Sequence, residues 1–270
     1  MSGIMQMVTA FKSAGGGGFD TDAQAFFTAA GITDSTQKSA VNQLVLDLKS
    51  ASIWTKMTAI YPFVGGDATK HSYNLKNTSL YQITWNGTIT HDANGITPNG
   101  TTGYGNTGLN ASTQTTLNDV HLSVYCRSSA AKNCYELSAL TSSAAAMHLH
   151  IRDTGNGTDG EIYREDTGNA FVSKTGETTA AGFYVISRRS STDMEGYKNG
   201  TSFQTQTNTN TGTRPNQNFF IGAYNNNGSP LSFSNRNLAF VSIGTGLTDT
   251  DVSNFYTAVQ SMQTTLSRNV

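Results

Sequence analysis

The sequence predicts a mainly β protein, an antiparallel sandwich or barrel with helices at its two ends. From Lys70 to about Ile243, short apolar or alternating runs recur between Asn-Gly, Gly-Asn and Ser/Thr clusters, the punctuation of many short strands. Before Gly66 and after Thr248 the apolar residues recur instead at helical spacing. The 270 residues include 27 Gly and 4 Pro, with 10% aromatic and 13% charged residues. Disordered chains carry more charge and fewer aromatics, so this is a folded, turn-rich composition.

The same numbers exclude other classes. Seventeen Lys and Arg against eighteen Asp and Glu leave a net charge of −1, whereas a phosphate-backbone binder needs a basic face. Apolar runs are all far shorter than a membrane span. Residues 1–19 lack the basic n-region of a secretory signal. They form a short apolar stretch (Ile4, Met5, Met7, Val8, Phe11) followed by four glycines, which reads as a flexible docking segment or a frayed terminus.

Residues 20–66 read as a helical region. Thr21 to Gln24 form a capping-box pattern, Phe26, Phe27 and Ala30 share a face, and Gly31 suits the C′ position. Asp34 to Gln37 repeat the start signal before Val41, Leu44, Val45, Leu48 and Ala51. The helical reading continues through Trp54 and Tyr61 to Gly65-Gly66. Strands are expected near 80–85, 120–126, 147–151, 182–187, 219–224 and 238–243. Residues 196–203 read as a hairpin, because Asn199-Gly200 supplies the two positive φ values of a type I′ turn. Cys126 and Cys134 sit in what reads as two strands around a small-residue turn near Ala130, close enough to bridge. Two reduced thiols are the reading favoured for a chain made in a reducing cytoplasm. Thr248 caps a last helix over 249–266, with Val252, Phe255, Tyr256, Val259 and Leu266 on one face.

Two resemblances sharpen this outline. The hairpin Glu195-Gly196-Tyr197-Lys198-Asn199-Gly200 and the block Phe219-Phe220-Ile221-Gly222, Leu238-Ala239-Phe240-Val241 and Gly246-Leu247-Thr248-Asp249 are similar in order and spacing to the concanavalin A-like, laminin-G-like jelly roll. That resemblance implies an antiparallel sandwich over 67–270. A wider set of segments resembles bacteriophage virion and tail-fibre proteins. They include Ala30-Gly31-Ile32-Thr33-Asp34, the run from Trp54 to Gly66, Asn74-Leu75-Lys76, Pro98-Asn99-Gly100-Thr101-Thr102-Gly103-Tyr104 and Tyr256-Thr257-Ala258-Val259-Gln260. This second resemblance implies a virion location, other virion proteins as partners through residues 1–19, and a homotrimer, the default symmetry of such appendages.

Catalytic chemistry is hard to find. Retaining glycosidases on this fold pair carboxylates about 5–5.5 Å apart, but Glu161 and Glu165 are four residues apart, roughly 13 Å along a strand. The protein is therefore expected not to be an enzyme and to need no cofactor. His148 and His150 share one side of a strand, a spacing that a metal on a trimer axis could use, although a polar strand face is the commoner meaning. Asp153 to Glu161 resemble a calcium loop with glycines at two ligand positions, so a hairpin turn is expected; Asp153 and Asp159 with backbone carbonyls are the candidate surface Ca²⁺ ligands. Sugar recognition needs rings to stack and amides to bond hydroxyls. Tyr104 and Asn106, and Tyr224, Asn225 and Asn226, supply that mixture in Gly-rich loops. The leading expectation is a lectin-like virion component that adheres to a host-surface glycan or attaches to the particle. A ligand-free decoration protein and a polysaccharide-degrading enzyme on the same fold are the alternatives.

Overall fold

Two aspartates open the helical layer. Asp20 caps α1 (Thr21–Ala30) by accepting the Asp22 backbone N–H, one residue before the cap suggested by the Thr21 pattern. Asp34 caps α2 (Ser35–Ser50) by accepting that of Gln37. The computed structural model of the chain describes residues 18–142, 145–162, 171–207 and 213–270; the docking segment expected over 1–19 thus lies almost wholly outside the described residues.

After a 3₁₀ turn at Trp54–Lys56 come β1 (Met57–Tyr61), α3 (Ala68–His71), β2 (Thr84–Asn86), β3 (Ile89–Asp92), β4 (Gly95–Pro98), β5 (Tyr104–Asn110), α4 (Ala111–Gln114) and β6 (Val120–Cys126). Then follow β7 (Leu137–Ser142), β8 (Ala145–His150), β9 (Thr158–Ile162), β10 (Phe171–Lys174), β11 (Gly182–Ser190), β12 (Asp193–Lys198) and β13 (Thr201–Gln206). The last are β14 (Asn218–Ile221), β15 (Tyr224–Asn226), β16 (Ser229–Leu231), β17 (Leu238–Gly244) and α5 (Asp249–Thr265).

The strands form two sheets. Sheet A runs β13-β12-β11-β6-β17-β4-β3, with β1 also paired to β17. Sheet B runs β10-β9-β8-β7-β14-β5-β2, with β15 paired to β16 and, in parallel, to β7. The two-layer jelly roll expected from the sequence is the architecture observed. Between the sheets, Leu122, Val124, Ile186 and Val241 of sheet A meet Leu137, Met147, Leu149 and Phe219 of sheet B. On the far side of sheet A, Tyr125, Phe183 and Phe240 pack against Val41, Leu44, Phe255 and Val259 of the helices. Sheet A is therefore covered on both faces, and every residue of β6 and β17 is buried. Because α1, α2 and α5 all pack there, the outer face of sheet B is left without a helical cover among the described residues.

That burial explains why the helical reading of 53–66 fails. Met57 and Ile60 join the helix-side core while Ala59 and Tyr61 join the inter-sheet core. A strand buried on both faces reads as an unbroken apolar run, which periodicity cannot tell from a buried helix. The expected turn near Ala130 also fails: β6 belongs to sheet A and β7 to sheet B, so residues 127–136 cross between sheets. Arg236 pins this crossover. Its guanidinium donates to the carbonyls of Ala130, Lys132 and Arg152, to Cys134 Sγ at 3.1 Å, and to Glu136 Oε1 at 2.6 Å. Glu136 Oε2 accepts the Ile151 N–H at 3.0 Å. Both charged side chains are fully buried, and this full set of partners is what makes such a pair tolerable. Cys126 and Cys134 are free thiols, both fully buried. Cys126 donates to Ser128 O and Cys134 to Glu136, so each sulfur is engaged separately and no disulfide forms.

Candidate functional site

Strand alternation builds the uncovered face. In β8, Met147 and Leu149 enter the inter-sheet core, so His148 and His150 point the other way. Asp159 on β9 stands opposite His150 and reaches both rings. Its Oδ1 is 3.0 Å from His148 Nε2, and its Oδ2 is 3.4 Å from His150 Nδ1. The two imidazoles are about nine-tenths buried, at 8% and 10% side-chain exposure, while the carboxylate remains 37% exposed. Burial works to raise the Asp159 carboxyl, but the N–H groups and charge of the two rings outweigh it and hold the carboxyl well below the usual range. Burial likewise works against charge on His150, and Asp159, with Glu136 behind it, holds that ring above its ordinary value.

Aromatic rings rest on this trio. Tyr135 stacks on His150 at 4.9 Å and 26° and meets His148 edge-on at 4.9 Å. Tyr224 lies 4.3 Å from Tyr135. A second cluster forms where Tyr104 of β5 packs 4.6 Å from Phe220 of β14 and 6.3 Å from Phe233. Tyr104, Tyr135, Tyr224 and Phe233 are all half-buried.

The hairpin of β15 and β16 joins the two clusters, giving Tyr224 to one, while the segment just after it gives Phe233 to the other. Ser138, on the outward side of β7, fastens it by donating to Ala223 O at 2.9 Å and accepting the Asn225 N–H at 2.8 Å. Asn225 completes the clasp, donating to Asn218 O and accepting the Gly228 N–H, both at 2.7 Å.

The residues singled out from the sequence therefore separate. Tyr224 joins the histidine cluster and Tyr104 the other. Asn226 is exposed at the hairpin. Asn225 is fully buried with its amide spent on the chain, so it holds the hairpin rather than facing a ligand. Asn106 is half-buried, its Oδ1 taken by the N–H of Gly108 and by Asn218 Nδ2. Of the proposed metal ligands, His148, His150 and Asp159 come together, but as two rings each paired with the one carboxylate. Asp153 closes its own turn, its carboxylate accepting the Gly157 N–H at 2.7 Å, as in the hairpin alternative to a calcium loop. Among the described residues, no group of three or more His, Cys, Asp or Glu is placed to hold a metal ion. Glu161 lies in β9 opposite Phe171, and Glu165 lies outside the described residues.

Sequence reasoning missed Tyr135, Phe220 and Phe233. Phe220 alternates with the core residues Phe219 and Ile221, a parity that marks it as outward; Tyr135, in the inter-sheet crossover, gave no such signal. A cavity of about 480 Å³ lies elsewhere, between α2 and α5, lined by Gln43, Asp47, Asn254, Thr257 and other small or polar residues. It has no aromatic ring, so the aromatic face is the better candidate.

No protein-family model matches the sequence, and no curated protein matches it. Solved structures share its fold. The chain is similar to Domain 4 of AbnA, a GH43 extracellular arabinanase from Geobacillus stearothermophilus, in complex with arabinotriose. The identity is 16% and the TM-score 0.50, over 74% of this chain and 98% of that one. It is also similar to the botulinum neurotoxin serotype D binding domain, at 11% identity and TM-score 0.55, over 76% of this chain and 52% of that one. A further structure of the serotype D ligand binding domain, at 14% identity and TM-score 0.50 over 77% and 52% of the two chains, is in complex with N-acetylneuraminic acid. A mutant Trypanosoma rangeli sialidase displaying trans-sialidase activity matches at 12% identity and TM-score 0.54, over 83% of this chain and 39% of that one. The chain thus spans about half of the neurotoxin domain and less of the sialidase. At such identities these likenesses establish the jelly-roll sandwich fold.

Proposed function

We propose that this protein is a non-enzymatic glycan-binding component of a bacteriophage particle, using the outer face of sheet B to adhere to host-surface saccharides. One observation carries the reading: two half-buried aromatic clusters, one with a partly exposed carboxylate beside it, occupy the sheet face that the helices leave open. Rings that stack under a sugar and polar atoms that bond its hydroxyls are what saccharide recognition needs. Two structures of similar fold, as described above, hold arabinotriose and N-acetylneuraminic acid. The virion location rests on the sequence resemblance, as do residues 1–19 as the attachment to other virion proteins and the trimeric state. The non-enzymatic assignment rests on the wide Glu161–Glu165 spacing.

A glycan array with the purified protein tests the binding. Tyr135→Ala and Tyr224→Ala are expected to weaken any hit at least tenfold while leaving circular dichroism unchanged. An array without a hit favours a ligand-free decoration protein. Depolymerisation of host polysaccharide by the pure protein refutes the non-enzymatic assignment. Mass spectrometry of purified particles tests the location, and loss of incorporation after deleting residues 1–19 tests the anchor.

A further inference from the structure

Resting on the glycan reading above, we propose that the Tyr135–Tyr224 cluster takes a neutral sugar through two adjacent hydroxyls, both donating to Asp159, and rejects sugars that carry a carboxylate. The argument is a count of lone pairs. An ionised carboxylate offers about four acceptor positions. His148 Nε2 is hydrogen-bonded to Oδ1 at 3.0 Å, and His150 Nδ1 stands 3.4 Å from Oδ2 as an ion-pair contact, so one position on each oxygen faces a ring. Among the described residues, the other position on each oxygen is left for outside donors, on a side chain 37% exposed. Two oxygens held side by side, each with an acceptor position to spare, match the paired O–H groups of a vicinal diol, and the Tyr135 ring packs against the imidazoles beside them.

The Asp159–imidazole arrangement also fixes the charge that a ligand meets. The two rings hold Asp159 ionised and oriented, and the next charges behind His150, Glu136 and Arg236, pair with each other at 2.6 Å. A uronic or sialic acid carboxylate brought alongside Asp159 meets a like charge, whereas a hydroxyl donates to it. The Tyr104 cluster lacks this handle. Asn106 Oδ1 already accepts from Gly108 and Asn218, and Asn218 O accepts from Asn225.

The test is an array at pH 8.5 carrying neutral hexose oligosaccharides, together with uronic- and sialic-acid oligosaccharides printed both as free acids and as methyl esters. The esters keep shape and hydroxyls but remove the charge. The expected result is binding to neutral or esterified saccharides at least tenfold tighter than to the matching free acids. In Asp159→Asn that preference disappears and neutral binding falls about tenfold; Tyr135→Ala weakens both forms and preserves their ratio. The ratio is a readout that general destabilisation does not move, and circular dichroism checks that each variant folds. Free acids bound as tightly as their esters, with Tyr135 still required, overturn the inference and leave the glycan reading standing. A preference that persists in Asp159→Asn overturns it too. No binding to any probe overturns both.

Discussion

Acid should unfold this protein through two buried histidines well before most of its carboxylates titrate. His71 Nε2 accepts the Gly66 N–H at 3.2 Å, so its proton sits on Nδ1, which donates to His91 Nδ1 at 3.1 Å. Burial, with His91 and Arg268 nearby, lowers its pKa from 6.5 to about 3. His121 is fully buried, bonded to Thr245 O at 2.6 Å and Ser242 Oγ at 3.0 Å, and burial lowers its pKa to about 4. These bases stay neutral when folded but charge when unfolded below pH 6.5. The unfolded chain therefore binds more protons between pH 6.5 and about 4, and stability falls as pH drops through that window. At about 1.4 kcal/mol per unit, each withdraws about 2 kcal/mol by pH 5, together about 4 kcal/mol. That is a large share of the ~5–15 kcal/mol typical of a folded domain. His150, raised by Asp159, acts in the opposite direction, so the difference between variants is the quantity to read. Urea unfolding at pH 7.0, 6.0, 5.5 and 5.0, comparing the parent with His71→Gln and His121→Gln, measures it. Each variant is expected to lower the slope of stability against pH by about 1.2 kcal/mol per pH unit between pH 6 and 5. A parent profile that is flat across this range, or variants with the parent's slope, refutes the reasoning.

Three further outcomes follow from the packing. Glu136→Gln leaves the Arg236 cation buried without its counter-charge and is expected to cost about 3–5 kcal/mol in urea unfolding. Burial, with the Glu136 charge, pushes both thiols up to about 12; alkylation of the native protein should therefore modify neither, and after denaturation, without reductant, should modify both, as mass spectrometry will record. Thr248→Ala removes half of the reciprocal cap with Asp251 at the start of α5 and should cost about 1 kcal/mol of thermal stability.

Local signals in the sequence survive folding where the deciding contacts are also local. Asp34 and Thr248 cap the helices they were expected to cap. The 196–203 hairpin forms with φ of 51° at Asn199 and 75° at Gly200, as its turn demands. The apolar run over 219–224 is legible as a strand but not as two: Gly222, at φ 79°, breaks it, and a side chain there would strike Pro98. The Cys126–Cys134 stretch misleads because β6 finds its partners in β11 and β17, far along the chain, and nothing near Ala130 encodes that. At the site, alternation alone puts His148, His150 and Phe220 on one face. Asn225 was not legible, because an amide spent on the backbone and one free for a sugar look alike in composition.

Sheet A has a kinetic consequence. One interior strand, β17, is the last strand described, and its three partners β1, β4 and β6 come from much earlier: Met57 is in register with Gly244, and Val124 with Val241. No early stretch can finish this sheet, so closure waits for distant segments to meet. Pairings of such high contact order place folding in the millisecond-to-second range. Until β17 arrives, β6, every residue of which is buried in the finished fold, presents an unpaired edge, the kind of surface on which nascent chains aggregate.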